Sequence, residues 1–165
     1  MTDEERRIHL LIVDDEEKFL ESIAQRLRLK DFDVETATNG RDALKATKKG
    51  KFDVAILDLR MPDMDGAEVL KVLKKKHKYL EAVMLTGHGS IDSAVECTKL
   101  GAFDYLEKPY DFEKLVDVLQ RAYKARLIKK FQHDKQKREQ LETLAMGSSP
   151  MAILKSLVRV DDDEK

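Results

Sequence analysis

A single cysteine, Cys97, excludes an internal disulfide and suits a reducing compartment. The longest purely aliphatic run, Leu10 to Val13, is far too short to cross a bilayer, and the opening "MTDEERR" has no apolar signal-peptide core, so a cytoplasmic location with no membrane partner is expected. Charge of one sign is not in excess: 31 Lys and Arg stand against 32 Asp and Glu, which gives no global basic bias toward nucleic acid. No phosphate-binding P-loop is present, and "GHGSID" offers only Gly87 and Gly89 of the three glycines in a dinucleotide fingerprint. The four histidines, His9, His77, His88 and His133, lack metal-ligand spacing and read as surface or boundary residues.

What remains is a chain of 165 residues, enough for one domain with a full core and a tail. Short apolar runs, "LLIV", "DVETAT", "VAILD", "AVMLT" and "FDYLE", alternate with stretches of helical spacing such as Phe19, Leu20, Ile23 and Leu27. This alternation predicts an α/β fold: a doubly wound, flavodoxin-like parallel sheet of five strands in the order 2-1-3-4-5, covered by helices on both faces. The polar alternation of the second strand marks it as an edge.

In such sheets the functional crevice lies beyond the carboxyl ends of the strands, where the strand order reverses. The first strand ends in Asp14 and Asp15 and its expected neighbour, the third, ends in Asp58, which places three carboxylates on one rim. Mutual repulsion is relieved by protonation or by a hard cation, and an all-oxygen donor set suits Mg²⁺, with Mn²⁺ as the alternative. The fourth strand ends in Thr86 and the fifth runs into Lys108 on the same rim. A hydroxyl and an ammonium facing a metal and a carboxylate nucleophile are the parts that in-line phosphoryl transfer requires, so Asp58 reads as an acceptor. Singly, each residue has an ordinary explanation as a helix cap, loop residue or solvated charge; their convergence at the ends of four strands favours the joint reading.

These motifs, "LLIVDDEE", "ILDLRMPDMDG", "VMLTGHGS" and "FDYLEKPY", resemble those of the receiver domain of two-component response regulators, over residues 8 to about 125. The resemblance implies Asp15 and Asp58 as direct Mg²⁺ ligands, the backbone carbonyl of Arg60 as a third, and Asp14 acting mainly through water. It implies phosphorylation of Asp58 by a sensor histidine kinase or phosphotransfer protein, with Thr86 and Lys108 holding the phosphoryl oxygens. Thr86 and Tyr105 become the switch pair that remodels the surface of the fourth helix, fifth strand and fifth helix, and the Lys108–Pro109 bond is expected to be cis. The protein is then a regulatory phosphoacceptor, with self-catalysed transfer and dephosphorylation at Asp58 only. An aspartate-nucleophile phosphatase shares the sheet and the metal, but generally carries a second Asp two positions after the nucleophile, where this chain has Arg60. A scaffold that keeps the fold without using phosphorylation is disfavoured by the complete acidic, hydroxyl and lysine set.

Beyond residue 120 the composition shifts. Arg121 to Arg138 holds eight Lys or Arg with Asp134 as the one acid, and the absence of Gly and Pro predicts outward continuation of the fifth helix. The expected division is a receiver at 1–125, a helical linker or dimerisation extension at 126–146, and a short segment at 147–165. "MGSSPMAILKSLVRV" resembles the start of the AAA+ module of nitrogen-regulator-type transcription activators, which makes an N-terminal regulatory fragment of such an activator an alternative. Leu127, Ile128, Phe131, Leu141 and Leu144 predict a homodimer through the fourth-to-fifth-helix face and the extension, and direct DNA binding is not expected.

Overall fold

The computed structural model describes residues 6–147; the expected segment at 147–165 lies outside them except for Gly147. Five strands, β1 (His9–Val13), β2 (Asp33–Ala37), β3 (Val54–Leu57), β4 (Glu81–Thr86) and β5 (Asp104–Glu107), alternate with helices α1 (Glu17–Leu29), α2 (Gly40–Lys49), α3 (Gly66–Lys76), α4 (Ile91–Lys99) and α5 (Phe112–Gly147). The sheet is parallel throughout, in the order β2-β1-β3-β4-β5. β1 is therefore the neighbour of β3, with Val13 opposite Leu57, as the strand reading requires.

Each central strand is apolar on both faces because helices cover both. Leu10, Ile12, Val54, Ile56, Val83 and Leu85 point into a core shared with α1 and α5. The alternate residues Leu11, Val13, Ala55, Leu57, Ala82 and Met84 point into a second core beneath α2, α3 and α4. This is the period of two of a strand, read twice. Cys97 is fully buried in the second core, where burial pushes its thiol pKa up, in keeping with a packing role.

α5 begins where the Asp111 carboxylate accepts the Glu113 backbone N–H at 2.9 Å, and it runs for 36 residues, about 54 Å at 1.5 Å per residue. Its first turns bury Leu115, Val116, Val118, Leu119 and Ala122. The helix is unbroken at the expected boundary after residue 125, and it still bonds the sheet beyond it: Arg126 pairs with Asp53 at 2.9 Å and Lys129 with Glu81 at 2.6 Å. Asp53 precedes β3 and Glu81 opens β4, both almost fully buried; Asp53 also accepts the His9 N–H and faces Arg6 at 3.6 Å, and Glu81 faces Lys74 at 3.8 Å, so the α5 cations add the shortest of several contacts to these acids.

Candidate functional site

Asp14 follows β1 and continues its ladder, its N–H donating to the Ala37 carbonyl; Asp58 does the same after β3, donating to the Val13 carbonyl. The two backbones are thus fixed side by side at the carboxyl rim. Asp15 is exposed, whereas Asp14 and Asp58 are each only 2% exposed, and one carboxylate oxygen from each of the three lies within 4.8 Å of the others. Asp14 is committed on both oxygens: Oδ1 accepts the Glu16 N–H at 2.9 Å and Oδ2 accepts Lys108 Nζ at 2.6 Å. Asp58 is not. Its Oδ1 is buried without a hydrogen-bond partner, an expensive state for a carboxylate oxygen unless something is meant to meet it.

The electrostatics follow from this crowding. Burial raises the Asp14 pKa above the ordinary carboxylate value, and the nearby Asp58 charge adds to it, against the opposing bonds from Lys108 and Glu16. Burial by itself lowers the Lys108 ammonium, but its bond to Asp14 and the charges of Asp14, Asp58 and Glu16 outweigh that, and its pKa stands above the usual lysine value. Lys108 Nζ also lies 3.9 Å from the centre of the Phe19 ring, which is braced edge-on by Tyr110. The peptide bond to Pro109 is cis, as expected. Three converging carboxylates, an orphaned oxygen and no nitrogen or sulfur donor among them form a donor set that fits a hard divalent cation such as Mg²⁺.

Thr86 closes β4 fully buried, and its hydroxyl accepts the His88 N–H at 3.0 Å. Its backbone carbonyl accepts the Lys108 N–H at 2.8 Å, so the two residues are carried on adjacent strand ends. Arg60 sits exposed in the loop after β3. Tyr105 is not brought among the acids: it lies on β5, with its hydroxyl 2.8 Å from Ser93 Oγ on α4.

Sequence reasoning missed Ser93, whose role becomes visible only when α4 packs beside β5. The one signal was the Ser90-x-x-Ser93 spacing of a capping box, which is indeed formed. It also missed Gly66. A Cβ there would fall 2.0 Å from the Asp58 carbonyl oxygen, so only glycine lets α3 start against the backbone of the candidate acceptor.

The profile of the response regulator receiver domain matches residues 10–120. An NtrX-like response regulator of Rickettsia bellii is 36% identical over 148 residues, 88% of this chain but 31% of that protein. The transcriptional regulatory protein ZraR of Klebsiella oxytoca is 38% identical over 109 residues, 66% of this chain and 25% of its own length. Among solved structures, the beryllofluoride-activated NtrC4 receiver domain dimer superposes with a TM-score of 0.68 at 35% identity, covering 72% of this chain and 98% of that one. The chain spans about a third or less of the length of these curated relatives.

Proposed function

The chain belongs to the response regulator receiver family, and from that premise we propose that Asp58 is its phosphoacceptor, charged by a sensor histidine kinase or phosphotransfer protein. The observation that carries this reading is the buried Asp58 Oδ1 without a partner, set beside Asp14 and Asp15 at the rim where β1 and β3 end. An Asp58 carboxylate oxygen attacks phosphorus in line as the bond to the donor nitrogen breaks. Lys108, held in place by Asp14 and Phe19, is positioned to turn its ammonium to the arriving phosphoryl oxygens, and the buried Thr86 hydroxyl to donate to another. Asp15, Asp58 and the Arg60 carbonyl are the proposed direct ligands of Mg²⁺ or Mn²⁺, with Asp14 acting mainly through water. Such an ion, when bound, offsets the negative charge that the carboxylates and phosphoryl group share.

The response we assign to Thr86 and Tyr105. Once Thr86 turns toward a phosphoryl oxygen, its bond from His88 is released, and the Tyr105–Ser93 bond is the tie between β5 and α4 that an inward rotation of the ring breaks. The domain is a regulatory phosphoacceptor, and its chemistry we take to be transfer and hydrolysis at Asp58 alone. A phosphatase is not favoured, since Arg60 stands where such an enzyme needs its acid. The output we read as that of the N-terminal regulatory part of an activator, residues 1–125 forming the receiver and 126–146 the helical extension. The naming of ZraR as a transcriptional regulator supports this.

Incubation with acetyl phosphate and Mg²⁺ is expected to add one acid-stable, base-labile phosphoryl group, seen as a single mass increment, and Asp58→Asn to abolish it. Undiminished labelling of that variant would overturn the assignment.

A further inference from the structure

The rim of the sheet opposite Asp58 holds a cluster of the other sign. Lys51 ahead of β3, Lys76, His77 and Lys78 at the end of α3, and Arg126 and Lys130 on α5 surround a cleft of about 190 Å³, and no carboxylate lines it. Arg126 is engaged by Asp53, but among the described residues Lys51, Lys76, Lys78 and Lys130 form no ion pair. In a chain with net charge −1 this is a local accumulation, gathered from three separate parts of the fold. A basic residue at a helix C-terminus is ordinary, which accounts for Lys76 but not for Lys51 or Lys130. Burial lowers the His77 pKa and the charges of Lys76 and Arg126 lower it further, as expected of a ring held in a positive field. Phe52 and Leu80, both buried, give the cleft an apolar floor.

We propose that this cleft is a binding site for a compact polyanion bearing one or two phosphoryl groups, held between α3 and α5. The size sets the class: the cleft falls below the roughly 300–1,000 Å³ of pockets that enclose drug-sized ligands, so it fits a diphosphate better than a whole nucleotide. Its lining by residues from three separate segments around one cleft favours a small anion over the backbone of a nucleic acid, which is tracked by an extended stripe. Because Arg126 and Lys130 belong to α5 and Lys51 and Lys76 to the domain body, a bound anion braces the extended helix against the sheet. The site is separate from Asp58 and does not depend on its phosphorylation.

Calorimetric titration of the full chain with sodium pyrophosphate, in low-salt buffer with EDTA to remove metal, tests this. One saturable site is expected, weakened at least tenfold in Lys76→Glu/Lys130→Glu and in the milder Lys76→Gln/Lys130→Gln, and unchanged in Asp58→Asn. Lys76 and Lys130 are exposed, and matched thermal melts establish that the variants fold. Absence of saturable binding, undiminished binding in both double variants, or tighter binding of a DNA oligonucleotide through the same lysines would each overturn the proposal.

Discussion

The Asp63 carboxylate, itself exposed, joins two loops. It accepts the Gly40 and Arg41 N–H groups at the start of α2, at 3.0 and 2.8 Å, and the Met64 N–H of its own loop at 2.9 Å. The β3–α3 loop that carries Arg60 is thereby tied to a helix N-terminus, which favours negative charge. The Arg41 bond first, then the Gly40 bond, hold the Asp63 pKa below its ordinary value of 3.8. A carboxylate depressed by folding stabilises the native state above its unfolded pKa, and that contribution is lost as pH falls through the folded value. Asp63→Asn is therefore expected to lower the melting temperature at pH 7, with the gap to the parent narrowing below about pH 4. A gap that stays constant down to pH 3 would show that the charge is not what holds the loop.

At the scale of elements, the site depends on how closely loops approach strands. α3 begins with Gly66, its N–H donating to the Leu59 carbonyl at 2.7 Å, and the side chain of Asp65 caps the helix through the Glu68 N–H. Gly66→Ala puts a methyl 2.0 Å from the Asp58 carbonyl oxygen and 2.8 Å from its carbon, both of them backbone that cannot turn aside. The loop has to move, at a cost of about 1–3 kcal/mol in line with other overpacked sites. A lowered melting temperature and slower labelling of Asp58 by acetyl phosphate are expected together; unchanged values of both would mean that the loop is free to shift. The same reasoning explains why this glycine escaped notice in the sequence. "MDGAEV" looks like any turn before a helix until the partner backbone is in place.

For the whole molecule, the decisive element is α5. Its docked portion extends through Arg126 and Lys129 to His133, whose ring packs at 5.6 Å from that of Tyr79, so a cut after Ala125 would remove the shortest ion pairs of two buried acids and leave Asp53 with Arg6 at 3.6 Å and Glu81 with Lys74 at 3.8 Å. Truncation is for that reason a poor test of the homodimer expected through the α4–α5 face and the extended helix. Leu127, Ile128 and Phe131 remain 40%, 58% and 62% exposed, while Leu141 and Leu144 are half-buried farther along. Asp134 and Arg138 interrupt the stripe between these groups, which points to a weak or splayed pairing rather than a tight coiled coil. Ile128→Asp with Phe131→Asp changes exposed positions only and is expected to reduce self-association at least tenfold by sedimentation equilibrium, with or without beryllofluoride. A parent chain that is monomeric in both conditions would remove the dimer.

The sequence by itself determined the strand count, the parallel order and the convergence of Asp14, Asp15, Asp58, Thr86 and Lys108 on one rim. The count follows from local periodicity, the order from the arrangement common to five-stranded doubly wound sheets, and the convergence from that order with the rule that parallel strands release their functional residues at their carboxyl ends. It also determined that the fifth helix runs on, since nothing in its composition stops it. Only the tertiary structure decided who meets whom across long separations. Lys108 bonds Asp14 while leaving an oxygen of Asp58 unpartnered, Tyr105 leans on Ser93, and Arg126 and Lys129 pair with Asp53 and Glu81. Spacing along the chain does not encode these contacts, because a charged residue reads the same in sequence whether it faces solvent or a buried opposite charge. The difference lies in the desolvation that folding imposes, and that exists only once the neighbouring elements have packed.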